Sequence, residues 1–144
     1  EHTPRPAMIR LETKARARAL QMLYAREAGG EPDVARVATG VARLTGPEPA
    51  FFDRAEQLTA GVVASLDEID RAIAGAADNW RVDRLGAIER NILRLGIFEL
   101  RCGEPPAKVV IDEALQLAHW FGGNRTPAFV NGVLDRVARS LGRL

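Results

Sequence analysis

Two consecutive segments near the end of the chain carry apolar residues at helical spacing, and each must bury the stripe it makes. Val110, Ala114, Leu117, Ala118 and Phe121 recur at i, i+4, i+7, i+8 and i+11, which is one face of a 3.6-residue helix. Val130, Val133, Leu134, Val137 and Leu141 repeat the pattern at i, i+3, i+4, i+7 and i+11, leaving Arg136, Arg139 and Arg143 mainly for solvent. Between them, Gly122-Gly123 supplies the permissive backbone of a helix C-terminus. Thr126-Pro127 reads as an N-cap followed by proline at the first helical position. Two amphipathic helices on a short hinge need a core, and the rest of the chain must provide it.

The same period runs upstream. A helix is expected from about Glu12 to Ala28, ended by Gly29-Gly30 and Pro32. Asp33 is placed to cap a short second helix carrying Val34, Val37, Val41 and Leu44, which stops before Gly46-Pro47-Glu48-Pro49. Phe51, Ala55, Leu58, Val62, Leu66, Ile69, Ile73 and Ala76 continue helix from Phe51 to Asp78, with a break near Ser65 and Trp80 as a core plug beside it. Asp83 caps a further helix with Leu85, Ile88, Ile92 and Leu95 on one face and Leu93, Ile97 and Leu100 on the other. Apolar on two sides, it is expected at the centre, and Gly103 and Pro105-Pro106 close it. No alternating strand pattern competes. The expectation is an all-α bundle of about six or seven helices, with residues 1–9 a flexible tail and 10–144 one helical domain on a shared core.

Composition narrows the function classes. At 144 residues the chain is the size of one domain with a substantial core. The single Cys102 excludes an intramolecular disulfide and a cysteine zinc cluster, and two histidines leave little for a metal site, so a reduced, cytoplasmic setting without cofactor is expected. There is no apolar run of membrane length and no signal-peptide pattern. Net charge is only +1, but its distribution is uneven. Residues 1–26 hold six basic residues (Arg5, Arg10, Lys14, Arg16, Arg18 and Arg26) against Glu1 and Glu12, whereas the remainder carries three more acids than bases. That asymmetry points an anion-binding hypothesis at the N-terminus.

Projected at about 100° per residue from Arg10, the first helix gathers Gln21, Lys14 and Arg18 on one arc with Tyr24 beside it. Leu11, Ala15, Ala19, Leu20, Met22 and Leu23 take the buried side, and Arg16 alone among the basic residues falls among them. A basic stripe with an adjacent ring and amide suits single-stranded RNA, because cations neutralise phosphates and a ring stacks on a base. A solvated helix face accounts for the same pattern, and both readings stand.

Catalytic signatures are absent. Asp112-Glu113 and Asp67-Glu68-Asp70 read as surface acids, with Asp112 and Glu113 favouring a helix N-terminus. His2 sits in the tail and His119 on a helix beside Trp120, and no phosphate loop, nucleophile elbow or metal spacing accompanies them. Trp120, Phe121 and Phe129 around Gly122-Gly123 are expected as core and hinge packing. Gly132 is expected to allow close helix approach, and Asn131 and Asp135 to satisfy nearby backbone groups.

Three stretches together resemble the NusB family of transcription antitermination factors: Lys14-Ala15-Arg16-Ala17-Arg18-Ala19-Leu20-Gln21-Met22-Leu23-Tyr24, Glu89-Arg90-Asn91-Ile92-Leu93-Arg94-Leu95-Gly96-Ile97-Phe98-Glu99-Leu100, and the C-terminal pair. Of these, Phe129-Val130-Asn131-Gly132-Val133-Leu134-Asp135 is the most specific, and the likeness runs from about Thr13 to Arg139. The resemblance implies two packed helical subdomains and no catalytic activity. It implies binding to the boxA element of ribosomal RNA operon transcripts together with NusE, a small-subunit ribosomal protein, so that RNA polymerase reads through terminators. Carried over by position, the RNA-binding candidates are Lys14, Arg16, Arg18, Gln21 and Tyr24, with Arg125 and Phe129 added from the C-terminal pair. Glu89, Arg90 and Arg94 are the candidates for the NusE surface. The family includes monomers and homodimers, and the sequence leaves both open. Two other readings compete: a helical interaction scaffold without RNA contact, and the N-terminal domain of an rRNA cytosine methyltransferase. The latter calls for a following catalytic domain, whereas the chain given ends at Leu144.

Overall fold

The structure is a computed structural model that describes residues 11–29, 49–77 and 82–144. Among the described residues there are six α-helices and no strand: α1 (Leu11–Gly29), α2 (Pro49–Ala64), α3 (Leu66–Ala76), α4 (Ala87–Cys102), α5 (Ala107–Phe121) and α6 (Thr126–Ser140). A single 3₁₀ turn, Val82–Arg84, precedes α4. The expected tail at residues 1–9, the helix capped by Asp33 and the Trp80 plug lie outside the described residues.

The long period from Phe51 onward divides at Ser65, where the Ser65 N–H bonds the Val62 carbonyl and the next helix starts at once. The Ser65 side chain makes no cap bond, so backbone geometry alone makes the break. Farther on, Asp83 is not the cap of the central helix. It belongs to the 3₁₀ turn, and Gly86 holds the cap position. A Cβ on Gly86 would lie 2.2 Å from Glu89 Oε1, so the missing side chain makes room for that carboxylate. Gly103, at φ +87°, ends α4 in the left-handed region.

α4 packs against each of the five other helices. Its residues Asn91 to Ile97, Glu99 and Leu100 are all buried, as two apolar faces require. Two glycines permit close approach. A Cβ on Gly61 of α2 would meet the Phe98 ring at 2.2 Å, and one on Gly96 would meet Leu134 at 2.9 Å. The expected contact glycine, Gly132, faces open space instead, because it lies on the outer side of α6. Asn131 is likewise exposed, and Asp135 accepts from Arg139 rather than from the backbone. Leu141 falls past the end of α6 and stays exposed, while Arg143 turns back to donate to the carbonyls of Leu100 and Pro105.

A helix buried along most of its length must have its polar groups answered inside the protein. Arg16 of α1 donates from Nε and one terminal nitrogen to the two carboxylate oxygens of Glu99, both at 2.8 Å. Glu113 of α5 lies 3.5 Å from the remaining terminal nitrogen. Burial lowers the Arg16 pKa, but the Glu99 hydrogen bond and the charges of Glu99, Glu113 and Glu12 outweigh it, so the guanidinium holds its proton more tightly than usual. Nearer the other end of α1, Glu27 accepts from Arg90 at 2.6 Å and 2.9 Å and from Asn91 at 3.0 Å. Arg94 completes this second network with two 2.9 Å bonds to Asp70 of α3. The pairings 16–99 and 27–90 make α1 antiparallel to α4, whereas 126–89 and 143–100 make α6 parallel to it.

Replacing Glu99 alone by Leu leaves a buried guanidinium without its bidentate partner and is expected to cost about 3–5 kcal/mol, whereas Arg16→Met with Glu99→Leu together costs far less. Urea denaturation of the two single variants and the double variant measures this, and additive losses would contradict a coupled pair. Partial burial pushes the Glu27 carboxyl up, but hydrogen bonds from Arg90 and Asn91 and the charges of Arg90 and Arg94 hold it below its ordinary value. Its contribution to stability is therefore complete above the ordinary carboxylate range, about pH 4.3, and lost as pH falls through the lower folded-state value. Thermal melts at descending pH are expected to fall more steeply for the wild type than for Glu27→Gln, and parallel curves would contradict the assignment.

Candidate nucleic-acid interface

The N-termini of α4 and α6 and the C-terminus of α5 meet at one end of the bundle. The element joining them is a polar latch. Thr126 Oγ1 donates to Glu89 Oε2 at 2.9 Å and accepts the Gly123 N–H at 3.0 Å, so one hydroxyl ties α4 to the hinge between α5 and α6. Thr126 was expected to cap α6. It is instead the first residue of that helix, with Arg125 at the cap position, because its hydroxyl is taken by these two partners. Close packing supports the latch, since a Cβ on Gly122 would lie 2.6 Å from the Thr126 side chain.

Beside the latch is an open groove of about 540 Å³, lined by Arg84, Leu85, Gly86 and Glu89 from one side and Gly123 to Thr126 and Phe129 from the other. Three residues singled out in the sequence, Glu89, Arg125 and Phe129, converge here from separate parts of the chain. Arg84 and Arg125 are exposed, and Phe129 is half-buried against the core. The groove thus offers two cations at its rim, an aromatic ring in its wall and a carboxylate fixed by a hydroxyl.

The basic face of α1 is smaller than its sequence suggests. Lys14 and Gln21 are partly exposed and Tyr24 is 44% exposed, so these three stay at the surface. Arg16 and Arg18 do not, at 4% and 9%. Arg16 belongs to the ion pair with Glu99, and Arg18 sits on a flank of a helix packed between α2 and α4. Neither guanidinium is displayed for a phosphate. A similar correction applies to α4. Arg90 is bound to Glu27 and to the carbonyls of Val82 and Leu85, and Arg94 is buried on Asp70 and Asn91. Their side chains hold the bundle together and do not make an outward partner surface, while Glu89 faces the groove.

Sequence reasoning also misplaced Trp120 and Phe121. Both were expected in the core, yet they are 43% and 38% exposed and stack edge-to-face with ring centres 6.4 Å apart. The stripe of α5 stays buried through Ala118, and the helix ends as it leaves the bundle, so its last turn projects beyond the helices that cover it. The signal available in the sequence was the Gly122-Gly123 stop directly after Phe121.

No helix of the described residues is long and apolar enough to cross a membrane. Among them, no group of three or more His, Cys, Asp or Glu side chains is arranged to hold a metal ion.

The profile of the NusB family matches residues 13–139. A "Transcription antitermination protein NusB" of Sorangium cellulosum is 45% identical over 130 residues, covering 90% of this chain and 92% of the relative. One from Anaeromyxobacter dehalogenans is 40% identical over 134 residues, covering 93% and 94%. A crystal structure of antitermination factors NusB and NusE in complex with dsRNA superposes with a TM-score of 0.83 at 28% identity, covering 92% of this chain and 99% of that one. With the five described helices packed around α4 and the motifs they carry, these likenesses make the chain a member of the NusB family.

Proposed function

We propose that the chain is a non-enzymatic transcription antitermination factor that binds boxA RNA of ribosomal RNA operon transcripts jointly with NusE, acting in the cytoplasm on nascent transcripts. The observation that carries this reading is the groove at the hinge of α5 and α6, where Arg84, Arg125, Phe129 and Glu89 come together. Cations, a ring and a fixed acceptor are the three contact types that single-stranded RNA uses: phosphate neutralisation, stacking and hydrogen bonding to a base edge. A relative with the same fold is found in a complex of NusB, NusE and dsRNA, which supports the partner assignment.

The surface of α1 extends this site. From Lys14 to Tyr24 the helix advances about 15 Å, and Tyr24 lies toward the end that carries the groove. Lys14, Gln21, Tyr24, Arg125 and Phe129 are therefore the residues assigned to RNA, with Arg84 added. Arg16 acts behind them as a support that sets the rotation of α1.

Fluorescence anisotropy of a labelled boxA RNA, titrated with this protein, with NusE and with both, tests the reading. The mixture is expected to bind more tightly than either protein alone. Lys14→Ala and Arg125→Ala are each expected to reduce the dependence of log K on log salt by about one unit. A protein that captures NusE but shows no RNA binding at low salt, alone or in the mixture, would establish the interaction scaffold instead.

A further inference from the structure

We propose that Trp120 is a base-stacking residue of the RNA surface, bridging the outward face of α1 and the groove. The inference rests on the RNA-binding reading above and adds to it a residue and a strand path.

Among the described residues, five large hydrophobic side chains are exposed: Tyr24, Trp120, Phe121, Leu141 and Leu144. The two leucines lie at the C-terminal end of α6, whereas the three aromatics share the end that carries the groove. Their placement follows from the ion pairs. Arg16 of α1 is 3.5 Å from Glu113 of α5. α5 begins beside the C-terminal end of α4, where Arg143 donates to the carbonyls of Leu100 and Pro105, and ends at the hinge that Thr126 ties to Glu89. α5 like α1 therefore runs antiparallel to α4, and the two point the same way. From that shared level, Tyr24 is about 12 Å farther along α1 and Trp120 about 10 Å farther along α5. Seven residues are two helical turns to within about 20°, so Trp120 lies on the side of α5 that Glu113 turns toward α1. Tyr24 and Trp120 thus stand toward the same end of the bundle, on two helices that point the same way and approach at Arg16 and Glu113.

Continuity and charge select the occupant. Trp120 and Phe121 lead directly into Gly123, Asn124 and Arg125, which form one wall of the groove. From His119 to Phe129 the chain contains Arg125 and no carboxylate, so an approaching polyanion meets no repulsion from this segment. The edge-to-face pair leaves at least one face of each ring unstacked. An exposed ring flanked by cations is what a single strand uses to keep its bases ordered between phosphate contacts.

The test is anisotropy with labelled single-stranded boxA RNA, in the presence and absence of NusE, on the full chain. Trp120→Leu is expected to weaken binding about five- to hundredfold at every salt concentration without changing the salt slope, since a stacking contact releases no counterions. Trp120→Phe is expected to retain most of the affinity. RNA is also expected to quench tryptophan fluorescence in the wild type, and Trp120→Phe, which keeps Trp80, is expected to lose much of that quench. Because the ring is exposed, the melting curve of Trp120→Leu should match the wild type. If wild-type protein binds RNA while Trp120→Leu binds equally and the quench is unchanged, the stacking role fails and the RNA reading stands. If the wild type binds no RNA with or without NusE, both fail. Intact RNA binding with lost self-association of Trp120→Leu in sedimentation would assign the ring to a second copy of the chain and overturn the proposal.

Discussion

Everything in this bundle depends on burying α4 together with its charges. A helix packed against five others leaves little solvent for Arg94 and Glu99, and charges left unanswered there would cost several kcal/mol. The answers come largely from α1, where Arg16 engages Glu99 and Glu27 engages Arg90 and Asn91. Two charge-assisted anchors some three turns apart fix both the register and the rotation of α1 against α4. The outward face of α1 follows from that rotation. Lys14, Gln21 and Tyr24 point outward because Arg16 must point inward.

The same economy shapes the far end of the bundle. Glu89 belongs to α4 and is held by Thr126, whose hydroxyl also ties down the Gly123 N–H, so a core helix and a surface hinge share one polar contact. A residue that shapes the proposed binding groove is therefore also part of the frame of the bundle. Glu89 shapes the groove by bonding within the protein, and Arg90, one residue on, closes the network beneath it. Among the described residues the exposed aromatics lie at this end, where the last turn of α5 is left uncovered.

Much of the architecture was legible because burial imposes a period. The stripes of α5 and α6, the break at Ser65, the end of α4 at Gly103 and the central position of α4 all follow from which residues recur at helical spacing. The candidate site was legible only in part. Lys14, Gln21, Tyr24, Arg125 and Phe129 are at least partly exposed, but the basic type of Arg16, Arg18, Arg90 and Arg94 suggested solvent when their side chains are largely taken up inside the bundle. Angular position had already placed Arg16 on the buried side. What makes that position tenable is Glu99, 83 residues away, and no local pattern carries such a partner.

Sequence alone determined the helical class, the placement of most helix ends and the family, because periodicity, glycine and proline act over a few residues and the motifs are read letter by letter. Tertiary structure decided which charges face water, which glycine lets helices touch and which aromatics remain exposed. Each of those depends on what a second helix brings to the contact: Glu99 for Arg16, Leu134 for Gly96, and for Trp120 the absence of any covering element at the end of α5 among the described residues. Burial is a property of pairs of elements, and a single helix period supplies only half of each pair.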